Sequence, residues 1–314
     1  MRRRLFAAVG CVMLFLSFQA IAQVQGKWAT TTNNLPSPVQ LNTQVLLLNG
    51  DVLVAGGSNG SGYLATAQLY NPVTRLWTAT GSMTTARQYF AAVVLPNGRV
   101  LVEGGQGTGG AILASAELYT PSTGKWTPAG HMSVARFSHT ATLISTASGP
   151  KVLVTGGCNT PTCSTATGVS ELYDPVLNNW TTTGALHIPR AYQTATRLLN
   201  GKVLIVGGVS ASSTKSCELY DPTHGTWTVV ASTSVLRNQH AAALLSSGKV
   251  LVAGGNCGRC ANFSAEIYDP TLNSWTATGN MTKGRFGHSA TTLANNTVLI
   301  AAGGTFVGRY YFPT

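Results

Sequence analysis

The 314-residue chain carries 20 Lys and Arg against only nine Asp and Glu, a formal net charge of +11. The basic residues recur singly along the chain rather than in one patch, which excludes a nucleic-acid-binding surface and leaves a general preference for acidic partners. Beyond the first 22 residues no stretch is long and apolar enough to cross a bilayer, so stable membrane insertion is not expected.

Residues 1–22 read as a signal peptide. Arg2, Arg3 and Arg4 form a basic start, Leu5 to Phe18 is apolar, and Ala20-Ile21-Ala22 offers small residues to a signal peptidase. Loss of those three arginines lowers the charge from +11 to +8. The expected mature domain is 23–314, in a secreted or periplasmic location. Cys11 leaves with the leader, and five cysteines remain in a compartment that permits disulfides. Proximity pairs Cys158 with Cys163 and Cys257 with Cys260, and leaves Cys217 alone.

A repeat of about 50 residues then dominates the chain. A glycine pair follows a short β-branched run six times, at Gly56-Gly57, Gly104-Gly105, Gly156-Gly157, Gly207-Gly208, Gly254-Gly255 and Gly303-Gly304. Tryptophans keep the same period, at Trp28, Trp77, Trp126, Trp180, Trp227 and Trp275, and so do Tyr70, Tyr119, Tyr173, Tyr220 and Tyr268. Each repeat reads as four strands. Strand a is rich in Ala, Thr and Leu. A turn such as Asn97-Gly98 or Asn200-Gly201 leads to strand b, which ends at the glycines. Strand c holds Glu-Leu-Tyr, and a turn containing Asp-Pro or Asn-Pro leads to strand d with its tryptophan. The mature chain is therefore predicted to be all-β.

Four-stranded units repeated six times close best as a propeller. Lys27-Trp28-Ala29-Thr30 reads as a strand d, while the last unit lacks a tryptophan. The expectation is a six-bladed propeller closed by the N-terminal strand completing the last blade, which removes an unpaired seam. The tryptophans and tyrosines are expected to pack between blades.

The Gly-Gly, Glu-Leu-Tyr-Asp-Pro and Trp pattern, with the Met-x-x-x-Arg segment after it, resembles the Kelch repeat over essentially the whole mature chain. That resemblance implies strands a around a central channel, and d–a and b–c loops sharing one binding face. The family includes galactose-oxidase-like copper enzymes, sialic-acid mutarotases and binding adaptors, so membership alone does not name an activity.

Charged residues sort against the repeat. Glu117, Glu171, Glu218 and Glu266 share one site, and Arg87, Arg136, Arg190, Arg237 and Arg285 share another. They are expected to form ion pairs that fix blade geometry. The same arginines are the candidate ligand-binding residues for an anionic group at the channel mouth. Glu103 is the one acid outside the pattern. It reads either as a further structural ion pair with Arg87 or Arg136, or as a polar anchor or general base, and it is the only catalytic candidate.

His139, His240 and His288 each lie three residues beyond a repeat arginine, but convergence of residues from three blades on one metal ion is not expected. The copper residues implied by a galactose-oxidase-like member are not found: no tyrosine adjoins a histidine, and the further β-domain that supplies a ligand is not expected. Cys257-Gly-Arg-Cys260 lies in a b–c loop, so it reads as a staple rather than a redox motif. No cofactor is expected. The leading function is a secreted, monomeric binding module for a protein, glycan or small anionic ligand. The alternatives are a mutarotase-like carbohydrate enzyme using Glu103, and a purely structural surface or matrix component.

Overall fold

Strand b of every repeat carries Val-Leu-Val or Val-Leu-Ile, and a pleated strand buried against neighbours on both faces is where β-branched side chains pack best. In a computed structural model of the protein, residues 21–24, 27–35, 39–210, 212–258, 260–307 and 310–313 are described. The basic and apolar parts of the expected signal peptide lie outside them. The chain divides into two compact units, the first running to Phe137 and the second starting at Ser138. The description is all-β apart from a single 3-10 turn at Thr108–Gly110.

The first unit holds two four-stranded antiparallel sheets. Blade one comprises Thr43–Leu46, Val52–Ala55, Ala67–Asn71 and Leu76–Thr80, in that order. Blade two comprises Ala91–Val94, Val100–Glu103, Ser115–Thr120 and Lys125–His131. The second unit repeats the pattern three times. Blade three runs from Thr140–Thr146 to Asn179–Thr183, blade four from Thr194–Arg197 to Thr226–Val230, and blade five from Ala241–Leu244 to Ser274–Thr278. A sixth repeat contributes the pair Ser289–Thr292 and Val298–Ala301. Within the second unit, the first strands of successive blades lie against one another.

The aromatic residues behave as their periodicity requires. Tyrosine on strand c faces tryptophan on strand d in register, with ring centroids 4.9–5.1 Å apart in blades one to five. The indole N–H then reaches the preceding blade: Trp126 donates to Gly81 O at 2.7 Å, Trp227 to Gly184 O at 2.9 Å and Trp275 to Ala231 O at 2.8 Å. Between blades three and four, Ile144, Leu153, Leu186, Val203, Ile205, Tyr220 and Trp227 form one continuous apolar layer.

The chain ends carry two further pairings among the described residues. Lys27–Thr30 pairs with Ile21–Val24 as a two-stranded hairpin. A hairpin between segments separated by two residues closes with little loss of chain entropy. Similarly, Gly304–Val307 pairs with Tyr310–Pro313. The glycine register also shifts by one in the sixth repeat. Ala302, at φ 59°, occupies the left-handed position that Gly104 and Gly254 hold at 66° in their blades, and Gly303 follows at 99°.

The glycine pairs stitch one blade to the next. The second glycine donates its N–H to the carbonyl of the following repeat arginine: Gly57 to Arg87, Gly105 to Arg136, Gly157 to Arg190 and Gly255 to Arg285 at 2.8 Å, and Gly208 to Arg237 at 2.7 Å. The first glycine lies so close that a Cβ on Gly207 would sit 2.2 Å from Arg237 O. Gly207→Ala is therefore expected to cost about 2–3 kcal/mol in urea unfolding, since it adds a clash to a left-handed backbone. Gly201→Ala, at φ +84° with no atom within 4 Å, is expected to cost only about 1–2 kcal/mol.

Candidate functional site

The repeat arginines lie at the heart of each blade. Arg87, Arg136, Arg190 and Arg237 are fully buried, with 0% exposure. Arg190 shows the arrangement. One terminal nitrogen donates to Gly207 O at 2.9 Å and Ser216 O at 2.7 Å, and the other to Ser216 Oγ at 3.0 Å and Glu218 Oε1 at 2.7 Å. Arg237 does the same with Gly254, Ser264 and Glu266, and Arg87 with Gly104, Ser115 and Glu117. The glutamates in turn accept backbone N–H groups from the d–a loop, as from Thr84 and Thr85 at Glu117, and from His187 and Ile188 at Glu218. These are the ion pairs the repeat spacing predicts. The sequence reading missed the serine two residues before the glutamate, which supplies two of the arginine's acceptors.

Burial pulls the guanidinium pKa of Arg87 and Arg190 downward, and the partner glutamates pull it back up. Arg136 donates from Nε to Val134 O at 3.2 Å. Arg285 differs. It is half-buried, its one side-chain hydrogen bond goes to Ala302 O at 2.8 Å, and no ion pair is formed by it among the described residues.

Glu103 sits on strand b of blade two, opposite Ala91 on one side and Ala116 on the other, with 0% exposure. Burial pushes its carboxyl well above the ordinary range, and the charges of Arg87 and Arg136 oppose that shift. Both partners anticipated for it therefore act on it electrostatically.

The histidine row also resolves. His139, His240 and His288 are buried at 8%, 5% and 8% exposure. In the second unit these side chains turn back onto the preceding blade's first glycine: a Cβ on Gly207 would meet His240 Cε1 at 3.2 Å, and one on Gly254 would meet His288 Cε1 at 2.6 Å. Gln193 and Phe90 pack in the same way at their own positions, against Gly156 and Gly56. Among the described residues no group of three or more His, Cys, Asp or Glu is placed to hold a metal ion. His240 Nε2 and Thr194 Oγ1 are 2.8 Å apart. Burial, reinforced by Arg237 and His288, lowers the His240 pKa to about 3, and burial with Arg285 lowers that of His288 to about 4.

Cys158 pairs with Cys163 and Cys257 with Cys260, with Cα–Cα separations of 4.9 and 5.4 Å. Cys217 is buried and free, and burial pushes its thiol up to about 11.

One feature on the loop side was not anticipated. The residue two beyond each repeat arginine, and Leu41 at the equivalent place in the first repeat where Val39 replaces the arginine, adopts a left-handed backbone. Leu41 and Tyr89 have φ of 56° and 54° in the first unit, and Ser138, Tyr192 and Gln239 have 52°, 56° and 51° in the second, followed by Gly287 at 63°. Their backbones link blade to blade: Tyr192 N donates to Ser138 O and Gln239 N to Tyr192 O, both at 3.0 Å, and Gly287 N to Gln239 O at 2.8 Å. Tyr192 and Gln239 are half-exposed. Non-glycine residues in this conformation cost about 1–3 kcal/mol each and concentrate at functional sites. The only sequence signal is Gly287, the one glycine in the set.

Glu218→Gln is expected to lower stability by about 3–5 kcal/mol, because Arg190 would stay charged and buried without its counter-ion. Denaturant unfolding measures it. His240 makes a pH prediction. Its folded pKa lies below its unfolded value of 6.5. The stability it contributes is therefore complete above that pH and falls away as pH drops towards 3. His240→Gln, which copies Gln193 at the equivalent site, is expected to flatten the melting temperature between those limits, as thermal scans across pH would show.

The sequence matches the Kelch motif over residues 42–84, 89–133, 190–234 and 237–282. Among solved structures it resembles "Novel fungal alcohol oxidase with catalytic diversity among the AA5 family, in complex with copper", with 19% identity and a TM-score of 0.67. That match covers 85% of this chain and 58% of the oxidase, so the chain spans less than two thirds of that protein. It also resembles "Structure of YjhT", with 17% identity and a TM-score of 0.69 over 88% of this chain and 93% of that one. At such identities the likeness is one of fold. Comparison with curated protein sequences finds no match. With the motif covering more than half of its residues, the chain belongs to the Kelch-motif family of β-propellers.

Proposed function

We propose that the protein is a secreted or periplasmic binding module that holds a polar, glycan-type ligand on the loop side of the second unit, at Tyr192 and Gln239. The observation that carries this reading is the run of left-handed residues joined backbone to backbone, with a half-exposed tyrosine and a half-exposed glutamine in consecutive positions. A tyrosine ring offers an apolar face and a hydroxyl, and a glutamine amide offers both donor and acceptor, which together match the C–H faces and hydroxyls of a sugar. The fully buried arginines Arg190 and Arg237 spend their donors inside their own blades, so recognition by neutral groups is favoured over capture of an anion.

The carbohydrate-enzyme reading draws on the raised pKa of Glu103, as a general acid or base would require. Its complete burial between two neighbouring strands sets that carboxylate apart from any substrate approaching from solvent, and binding remains the first reading.

A glycan array followed by titration calorimetry tests the proposal. Saturable binding is expected, with roughly tenfold or greater loss of affinity in Tyr192→Ala and in Gln239→Ala at an unchanged melting temperature. No binding to any glycan, or equal affinity in both variants, would overturn it. A sugar-converting enzyme would instead lose turnover in Glu103→Gln while keeping its melting temperature.

A further inference from the structure

Antiparallel pairing puts the a–b and c–d turns at one end of each blade and the d–a and b–c loops at the other. Among the described residues, the six large apolar side chains that are at least 69% exposed all stand at the turn end. In the second unit they are Val176 and Leu177 on the c–d turn of blade three, Leu199 on the a–b turn of blade four, and Leu272 on the c–d turn of blade five. Leu48 and Val73 repeat the pattern in the first unit. Single exposed leucines are ordinary, but apolar groups gathered at one end of the blades mark an interaction surface. Leu199 and the turn carrying Leu272 also share a cleft of about 380 Å³, lined in part by Leu198, Gly248, Lys249 and Pro270.

We propose that the turn end of the second unit docks on an anionic phospholipid surface, as a peripheral contact that does not cross the bilayer. Charge favours this occupant. The three aspartates at this end are each tied to a lysine, Asp174 to Lys151, Asp221 to Lys202 at 3.0 Å and Asp269 to Lys249 at 2.9 Å. Glu171, Glu218 and Glu266 are buried, so all six acids of the unit are either buried or paired with a lysine. Arg197 is exposed two residues before Leu199, and the whole chain carries a formal +11. An anionic surface therefore meets attraction, whereas a second copy presenting the same face would meet like charge. The backbone favours lipid as well. Val176 and Leu177 donate their N–H groups to Asp174 Oδ1 at 2.8 and 3.1 Å, and Leu272 donates to Asp269 Oδ1 at 3.2 Å. Groups satisfied within the protein enter an apolar medium without losing a hydrogen bond to water. The surface lies at the other end of the blades from Tyr192 and Gln239, and stands or falls independently of the glycan reading.

The test mixes the full chain with vesicles of phosphatidylcholine alone, or of phosphatidylcholine and phosphatidylglycerol in equal parts, and measures bound protein by co-sedimentation. Saturable binding to the mixed vesicles is expected, roughly tenfold or more weaker on phosphatidylcholine alone and falling as salt is raised. The double variants Leu199→Ser with Leu272→Ser, and Val176→Ser with Leu177→Ser, are each expected to bind roughly tenfold or more weakly. Their melting temperatures should be unchanged, because these side chains are mostly exposed. Phe263→Ser, on a b–c loop at the other end of blade five, is expected to bind as the unaltered chain does. The comparison of two lipid compositions needs no variant, so a folding defect in one of them does not blunt the test. No binding to either vesicle, equal affinity for the two, undiminished binding by either double variant, or an equal loss in Phe263→Ser would overturn the proposal. A partner protein held by the same leucines in place of lipid would give the first of these outcomes.

Discussion

A charged pair in a protein interior is stable only when nearly every donor and acceptor on both partners is used, because each ion gives up its hydration. Arg190 and Glu218 meet that condition. The guanidinium reaches two carbonyls, a hydroxyl and a carboxylate, while the carboxylate also collects two backbone N–H groups. In one contact set the pair ties the d–a loop, the end of strand b and strand c together. Its carbonyl accepts the N–H of Gly157 in the preceding blade, so the same residue also fixes the blade-to-blade junction. The glycine pair follows from this geometry, since any Cβ on Gly156 would press against Arg190 O and the Gln193 side chain.

That commitment has a consequence for recognition. A basic chain invites an anionic ligand, yet its repeat arginines spend their charge internally. Net charge here describes the long-range field of the molecule and not the groups that touch a ligand. On the reading proposed above, contact falls instead to neutral side chains such as Tyr192 and Gln239, on a backbone held in an unfavourable conformation by its neighbours. Arg285 stands apart because the described residues give it no carboxylate.

The histidines and Glu103 illustrate how burial overrides residue type. His240 and His288 are kept neutral by desolvation and by nearby arginines, and they serve as packing groups above glycines. Glu103 is pushed towards its protonated form by the same cause. The two disulfides staple b–c loops whose sequences vary from blade to blade, although Cys158 is buried while Cys260 is exposed.

Periodicity alone determined the repeat, the four-strand unit, the recurrence of Tyr on strand c and Trp on strand d, and the Arg–Glu pairing. Each of these depends on residues recurring at fixed spacing, and a spacing of that kind survives in one dimension. The pairing of Cys158 with Cys163 and of Cys257 with Cys260 was legible for the same local reason. What sequence could not supply was anything set by backbone conformation. The left-handed state of Tyr192 and Gln239 arises from hydrogen bonds between blades, and neither residue type announces it. The one-residue shift that puts Ala302 in a glycine's place shows only in its φ. Only the tertiary structure decided whether the repeat arginines are exposed or consumed, because burial is a property of everything packed around a side chain.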